Sequence, residues 1–188
     1  MSKIICVNGA SGSGKTFLSQ LLKDEQDNLP FVIVKAITDC SREPRVGEIH
    51  EKDYYFRTKE EFEEKIANGE YVEFSLYNGT YRGLRIAELE RCLNIPNAII
   101  LLILDINGVN AIKGKFPNET KSIYINVSKD VLEKRMRERG DSEENIAKRL
   151  EYYETAKEGT NGEKCDYVIT NNGSPEELKN EFIRIAML

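Results

Sequence analysis

The segment Gly9-Ala10-Ser11-Gly12-Ser13-Gly14-Lys15-Thr16 constrains this chain more than any other. It matches G-x-x-x-x-G-K-[ST] in full. An apolar run from Ile4 to Val7 precedes it, and Leu18, Leu21 and Leu22 follow at helical spacing. That order predicts a buried strand over residues 3–8, a glycine-rich turn, and a helix over about 15–25. Glycines let the backbone wrap around a phosphate chain, and their amides, with the helix N-terminus, bind its oxygens. Lys15 would reach the β and γ phosphates, and the Thr16 hydroxyl would ligate Mg²⁺. The alternative is a glycine-rich strand-to-helix turn with no ligand.

The rest of the pattern extends this unit. At 188 residues the chain is one domain, or one core carrying inserts. Residues 31–34, 98–104, 122–127 and 167–170 read as strands, and the apolar run at 98–104 suits a parallel strand buried on both faces. Helices are predicted near 86–93, near 109–115, from Ser128 through 137, and up to about 158. Gly140 is a hinge candidate in the charged stretch 138–147. Ser174-Pro175-Glu176-Glu177 is a capping box that opens a last helix with Leu178, Phe182 and Ile185 on its apolar face. Alternating strands and helices imply an α/β fold, a parallel sheet with helices on both faces. Residues 37–85 differ in texture: polar, rich in Tyr and Gly, with strands expected at 53–57 and 70–77. A capping box from Thr58 to Glu61 opens a helix carrying Phe62 and Ile66, and Asn78-Gly79 is a turn signal. This stretch reads as a small β-rich insert. Asp105, ending the most apolar strand, would hold Mg²⁺ through water or orient a substrate; the alternative is an ordinary helix-leading Asp.

Composition narrows the function classes. Lys and Arg number 27 against 32 Asp and Glu, a formal charge of −5 with a pI near 5.2, so no nucleic-acid partner is expected. The longest uncharged stretch, from Cys92 to Leu104, is too short to span a bilayer and is interrupted by Asn94, Pro96 and Asn97, so no membrane partner is expected. The start, Met1-Ser2-Lys3, lacks a signal-peptide layout. Cysteines at 6, 40, 92 and 165 have no C-x-x-C spacing and read as reduced thiols, which suggests a cytoplasmic location. His50 is the single histidine, so a multi-histidine metal centre is excluded, and it reads as a residue of an exposed loop.

Beyond the phosphate loop, the sequence resembles the guanylate kinase family nearly end to end. Ser41-Arg42-Glu43-Pro44-Arg45-Val46-Gly47-Glu48 resembles T-R-x-P-R-x-G-E, and Asp53-Tyr54-Tyr55-Phe56 resembles D-Y-x-F. Tyr71-Val72-Glu73-Phe74 resembles F-[IV]-E-[WF], and Asn78-Gly79-Thr80-Tyr81 the start of G-x-Y-Y-G. Arg135 to Gly140 resembles R-x-x-x-R-G, Ile146 to Leu150 matches I-x-x-R-L, and Tyr167 to Asn171 resembles V-x-x-N. The resemblance implies a P-loop NTPase-type core (1–36, 86–134 and 160–188), an acceptor-nucleotide insert (37–85) and a helical lid (about 135–159). It implies transfer of the γ phosphoryl of ATP to GMP, with dGMP a second candidate acceptor and Mg²⁺ as cofactor. It also implies small nucleotides as partners, in a monomer or homodimer. The ATP side would comprise Gly9, Ala10, Ser11, Gly12, Ser13, Gly14, Lys15 and Thr16, with Arg135 against the adenine and Asn171 near it. Arg42, Arg45, Tyr54 and Tyr81 would bind the acceptor phosphate. Glu73 would accept from the guanine edge, and Thr38 and Asp105 would lie at the acceptor site. Lys15, Arg42, Arg139 and Arg149 would carry catalysis by stabilising charge in flight.

Competing readings stand beside these. Arg135, Arg137 and Arg139 sit among acids, as on a solvated helix face, and Tyr54, Tyr55 and Phe56 could be strand core. The family's second Tyr of the Y-Y-G motif is here Arg82. The hydroxyl residue usual after the glycine is here Leu84, and the usual [DE]-I-D acids are reduced to Asp105. If Arg82 faces the pocket it adds an anion contact; if it faces out it is neutral to function. These departures keep open a related kinase with another phosphorylated acceptor, a different nucleotide or a sugar phosphate. A non-catalytic guanylate-kinase-like binding module is a third reading.

Overall fold

Every residue of β1 (Ile4–Asn8) is buried, as a parallel strand with neighbours on both edges and helices on both faces requires. The structure, a computed structural model, describes residues 4–45, 47–77 and 79–188. Lys3, Val46 and Asn78, which the sequence reading used in a strand, a motif and a turn, lie outside the described residues. β7 (Ala98–Ile103) and β8 (Thr120–Asn126) flank β1, with Ile5 opposite Leu101 and Lys121. β2 (Val32–Lys35) and β9 (Tyr167–Thr170) complete a parallel sheet in the order β2-β7-β1-β8-β9.

Successive side chains on a strand point to opposite faces, and two apolar layers follow. Ile5, Val7, Ile99, Leu101 and Ile125 pack with Leu18 and Leu22 of α1 (Lys15–Asp24), Leu132 and Met136 of α5 (Lys129–Glu138), and Phe182 and Ile185 of α7 (Pro175–Met187). Ile4, Cys6, Ile100 and Leu102 pack on the other side with Leu89 of α3 (Ile86–Leu93) and Val109 and Ile112 of α4 (Ile106–Lys115). The expected α/β architecture is thus the observed one.

A second sheet is built from the polar stretch. β3 (Asp39–Cys40), β4 (Tyr55–Phe56), β5 (Tyr71–Tyr77) and β6 (Thr80–Arg85) lie in the order β4-β3-β6-β5. α2 (Lys59–Ala67) opens with the expected capping box, in which Glu61 N donates to Thr58 Oγ1 and Thr58 N to Glu61. The expected strand at 53–57 contracts to Tyr55–Phe56, and β3 was not foreseen. Caps set the start of two helices, one of them, α4, earlier than predicted. Asp105 caps α4 by accepting from Gly108 N at 2.9 Å, so the helix begins at Ile106. Ser142 caps α6 (Glu143–Thr155) by accepting from Asn145 N, inside the charged stretch. A 3₁₀ segment, Glu158–Lys164, follows. No helix among the described residues is long and apolar enough to cross a membrane.

Candidate active site

The phosphate loop connects β1 to α1. Gly14 is left-handed at φ 103°, and a Cβ there would lie 2.5 Å from Asn171 Nδ2. That amide donates to Ser13 O at 2.8 Å, so the end of β9 buttresses the loop and only glycine fits beside it. Lys15 Nζ donates to the carbonyls of Gly9 and, at 2.8 Å, Ala10. Burial pulls its ammonium down to about 8; Glu158 opposes the shift, and the cations Arg139, Arg82 and Arg149 add to it. Thr16 is exposed in the first turn of α1. A cavity of about 600 Å³ opens here, lined by Ser11, Gly12, Gly14, Lys15, Thr16 and Phe17 of the loop and α1. Arg135, Arg139, Asn171, Gly173 and Pro175 also line it.

The arginines predicted to surround the phosphates divide. Arg135 Nη2 donates to Asn171 O at 3.0 Å. Arg139 pairs with Asp141, its Nε 3.1 Å from Oδ1. Arg149 Nη1 donates to Ser11 Oγ, tying α6 to the phosphate loop, while its Nε lies 3.9 Å from Asp141. Arg137, by contrast, pairs with Glu133 and Glu143 on an exposed face, so the solvated-face reading holds for that residue. Ser13 Oγ, Arg42 Nε and Arg135 Nη1 are buried polar atoms with no hydrogen-bond partner among the described residues. A protein orders few such atoms without reason; these three belong to residues predicted to meet phosphates or nucleotide, whereas two others, Asn8 Oδ1 and Thr120 Oγ1, do not.

The residues predicted to bind the acceptor are organised by the second sheet. Arg42 makes a two-pronged contact with Glu48, at 2.6 and 2.7 Å. That hydrogen bonding holds the Glu48 carboxyl down to about 2. The Arg42 guanidinium lies 5.4 Å from the Tyr54 ring centre, and the Arg82 guanidinium is also 5.4 Å from it. Arg82 therefore faces the same surroundings as Arg42 and Tyr54, and its charge is felt at Lys15 across the cleft. Tyr81 faces the other way: its ring stacks on Phe62 and its hydroxyl donates to Glu63 Oε1 at 3.2 Å. The structure thus does not place Tyr81 with Arg42, contrary to expectation. Adjacent residues of β6 alternate faces, so only one of Tyr81 and Arg82 can look into the cleft. Arg45 is exposed, with its charge felt at Asp141, between α5 and α6.

Glu73 and Asp105 close the far end. Glu73 is buried on β5 against the first turn of α4, where a Cβ on Gly108 would sit 2.9 Å from Glu73 Oε2. Burial, then the neighbouring Asp105 charge, push its carboxyl up to about 7. Asp105 is exposed and uses Oδ1 as the α4 cap. Thr38 is half-buried beside β3, its carbonyl accepting from Tyr55 N. His50 is exposed, as expected, and its Nδ1 accepts from Phe56 N.

Sequence reasoning passed over three cleft residues. Glu48 was quoted only as part of a motif. Glu158 lies near Lys15 and Asp105; burial pushes its carboxyl up and Lys15 opposes this. It comes from an irregular segment with no motif. Phe17 follows the phosphate loop and is 51% exposed, against complete burial of Leu18 and Leu22. Its apolar side chain beside the loop, off the helix's buried stripe, was the available signal.

Comparison with known proteins identifies the family. Residues 1–182 match the guanylate kinase family. A guanylate kinase from Fusobacterium nucleatum is 36% identical over 186 residues, covering 98% of this chain and 96% of that protein. One from Prochlorococcus marinus is 34% identical over 183 residues, covering 95% and 94%. Among solved structures, the guanylate kinase from Anaplasma phagocytophilum superposes with a TM-score of 0.73 at 25% identity, over 99% of this chain and 85% of that one. A phosphate loop, a facing sheet that carries clustered arginines and a buried carboxylate, and family similarity along nearly the whole length lead to one conclusion: this chain belongs to the guanylate kinase family.

Proposed function

We propose that this protein transfers the γ phosphoryl of ATP to GMP, giving ADP and GDP. The observation that carries this reading is the meeting of Lys15, Arg82, Arg139 and Arg149 around one cleft, with the buried carboxylate of Glu73 on its acceptor side. The ATP phosphates would lie along the loop Gly9–Thr16, with the nucleoside in the cavity bounded by Arg135 and Asn171. Glu73 would accept from guanine N1–H and N2–H, donors that adenine lacks at those positions. Arg42, Arg45 and Tyr54 would hold the acceptor phosphate. Arg82 takes the place in that group for which Tyr81 was expected, since a guanidinium offers paired donors to a dianion.

The residues present suit Mg²⁺. Among the described residues no group of three or more His, Cys, Asp or Glu side chains could hold a metal. The donors are instead one hydroxyl, Thr16, and one carboxylate, Asp105, acting through water. Such a sparse oxygen set fits an ion bound mainly by substrate phosphates and water. When bound, Mg²⁺ neutralises charge on the β and γ phosphates. Lys15 would exchange its bonds to the Gly9 and Ala10 carbonyls for phosphate oxygens. An oxygen of the GMP phosphate then attacks the γ phosphorus in line, and the bond from that phosphorus to the β–γ bridging oxygen breaks. Arg139 and Arg149 stabilise the transferring charge. The acceptor is already ionised, so no general base is needed.

In this reading, residues 37–85 act as the acceptor unit and about 135–159 as the lid, moving against a core of 1–36, 86–134 and 160–188. A cytoplasmic, monomeric or homodimeric enzyme with no nucleic-acid or membrane partner is part of the same proposal. The net charge of −5 supports the part about nucleic acid, and four unpaired cysteines support the cytoplasmic location.

One observation favours a second acceptor class. Leu84, where the family usually has a hydroxyl, is fully buried in the apolar layer, and Arg82 adds cationic charge, so phosphate recognition is strengthened relative to base recognition. The test is Mg·ATP turnover with GMP, AMP, UMP and a sugar phosphate, for the native protein and Arg82→Ala. GMP should have the highest kcat/KM, and Arg82→Ala should raise the GMP KM about tenfold or more. Turnover of another acceptor without GMP would establish the second reading. No turnover with any acceptor would leave the binding-module reading.

A further inference from the structure

We propose that Phe17 forms the aromatic wall of the donor pocket, packing its ring against the nucleoside of the bound triphosphate. The inference rests on the reading of the cavity as the ATP site and adds a residue that no motif assigns. Phe17 follows Thr16 directly, so its side chain leaves the first turn of α1 beside the amides that would hold the phosphates. It is 51% exposed, outside the stripe on which Leu18 and Leu22 are fully buried. Core packing therefore does not account for a phenyl group here. It lines the same cavity as Arg135, Asn171, Gly173 and Pro175.

Two polar residues that share the cavity with Phe17 are held by hydrogen bonds. Asn171 Nδ2 donates to Ser13 O, and Asn171 O accepts from Arg135 Nη2. Arg135 Nη1 is buried without a partner among the described residues. These bonds hold the guanidinium and the amide in place beside the cavity. A planar guanidinium and a phenyl ring lining one cavity suit a flat π system, and each such contact is favourable whichever base is presented. A large ring contributes most to that packing, so the site should favour purine over pyrimidine triphosphates.

The experiment measures initial rates with Mg·ATP and Mg·CTP as donors and GMP as acceptor. It also measures inhibition by inorganic tripolyphosphate, which has phosphates but no nucleoside. The proteins are native, Phe17→Ala and Phe17→Tyr. Phe17→Ala should raise the ATP KM about tenfold, leave the GMP KM within twofold, and leave tripolyphosphate inhibition unchanged. Phe17→Tyr should restore the ATP KM, and native enzyme should use CTP less efficiently than ATP. An unchanged ATP KM in Phe17→Ala would overturn the inference while leaving the kinase reading intact. So would an equal weakening of tripolyphosphate inhibition, since that would report a damaged phosphate loop. Absence of ATP-dependent turnover in the native protein would instead overturn the kinase reading on which it rests.

Discussion

At the scale of single residues, Glu73 combines two opposed demands. Recognition of guanine N–H donors needs a carboxylate, yet burial and the Asp105 charge push this group up to about 7. Catalytic efficiency with GMP should therefore fall as pH drops below about 7, approaching tenfold per pH unit, through KM more than kcat. Glu73→Gln should lower the plateau and flatten that limb, because an amide does not titrate. A native limb that survives in Glu73→Gln would assign the titration elsewhere. The stability consequence has the opposite sign. A carboxyl raised above its ordinary value of 4.5 favours the folded state when protonated. That contribution is complete below pH 4.5 and is lost as pH rises through about 7. Glu73 itself was legible from sequence, because a carboxylate in an otherwise apolar strand needs a purpose. Arg82 was only half legible. Its departure from the family pattern could be seen, but the face it presents depends on the register of β6 against β3 and β5, a long-range pairing that adjacent residues do not reveal.

Among the elements, β3 shows why the second sheet was harder to read than the first. The core strands announce themselves as runs of apolar residues, and the phosphate loop as a spaced motif. β3 has two residues, too few for any periodicity, and its position is set by one side chain. Asp39 is completely buried and accepts from Arg57 Nε at 2.7 Å, Arg85 Nε at 2.8 Å and the Tyr71 hydroxyl at 2.9 Å. It thereby links β3 to the end of β4, to β6 and to β5, and burial together with Asp39 raises the Tyr71 phenol. Removing one partner of a buried ionic group leaves the others uncompensated, at a cost of about 3–5 kcal/mol. Asp39→Ala should destabilise the protein by that amount in urea unfolding, or melt the second sheet ahead of the core. In the latter case GMP binding would be lost while ATP binding persists. A change under about 1 kcal/mol with normal GMP affinity would deny Asp39 this organising role.

For the molecule as a whole, the net charge of −5 conceals a cationic interior cleft shared by two sheets. Lys15 at the start of α1 feels Arg82 on the second sheet, and Arg45 is felt at Asp141, between α5 and α6. Glu73 of β5 packs on the first turn of α4, which follows β7. In the proposed function, donor and acceptor sites are two walls of one space, and the sequence could not give their proximity because it arises from how the sheets meet. Two such sites should respond to a ligand that spans them. Adenosine and guanosine joined through five phosphates would turn the second binding event into an intramolecular one, with an effective concentration on the order of millimolar. Where each nucleotide alone binds in the range of about 10–100 μM, the linked compound should bind at least about tenfold tighter than either. Its thermal stabilisation should also exceed that of ATP and GMP added together at the same concentration. The gain should vanish when the linker is cut to two phosphates, too short to reach both walls. Equal affinity for the linked and separate nucleotides would mean that the loop of β1 and the arginines of the second sheet do not face one another in solution.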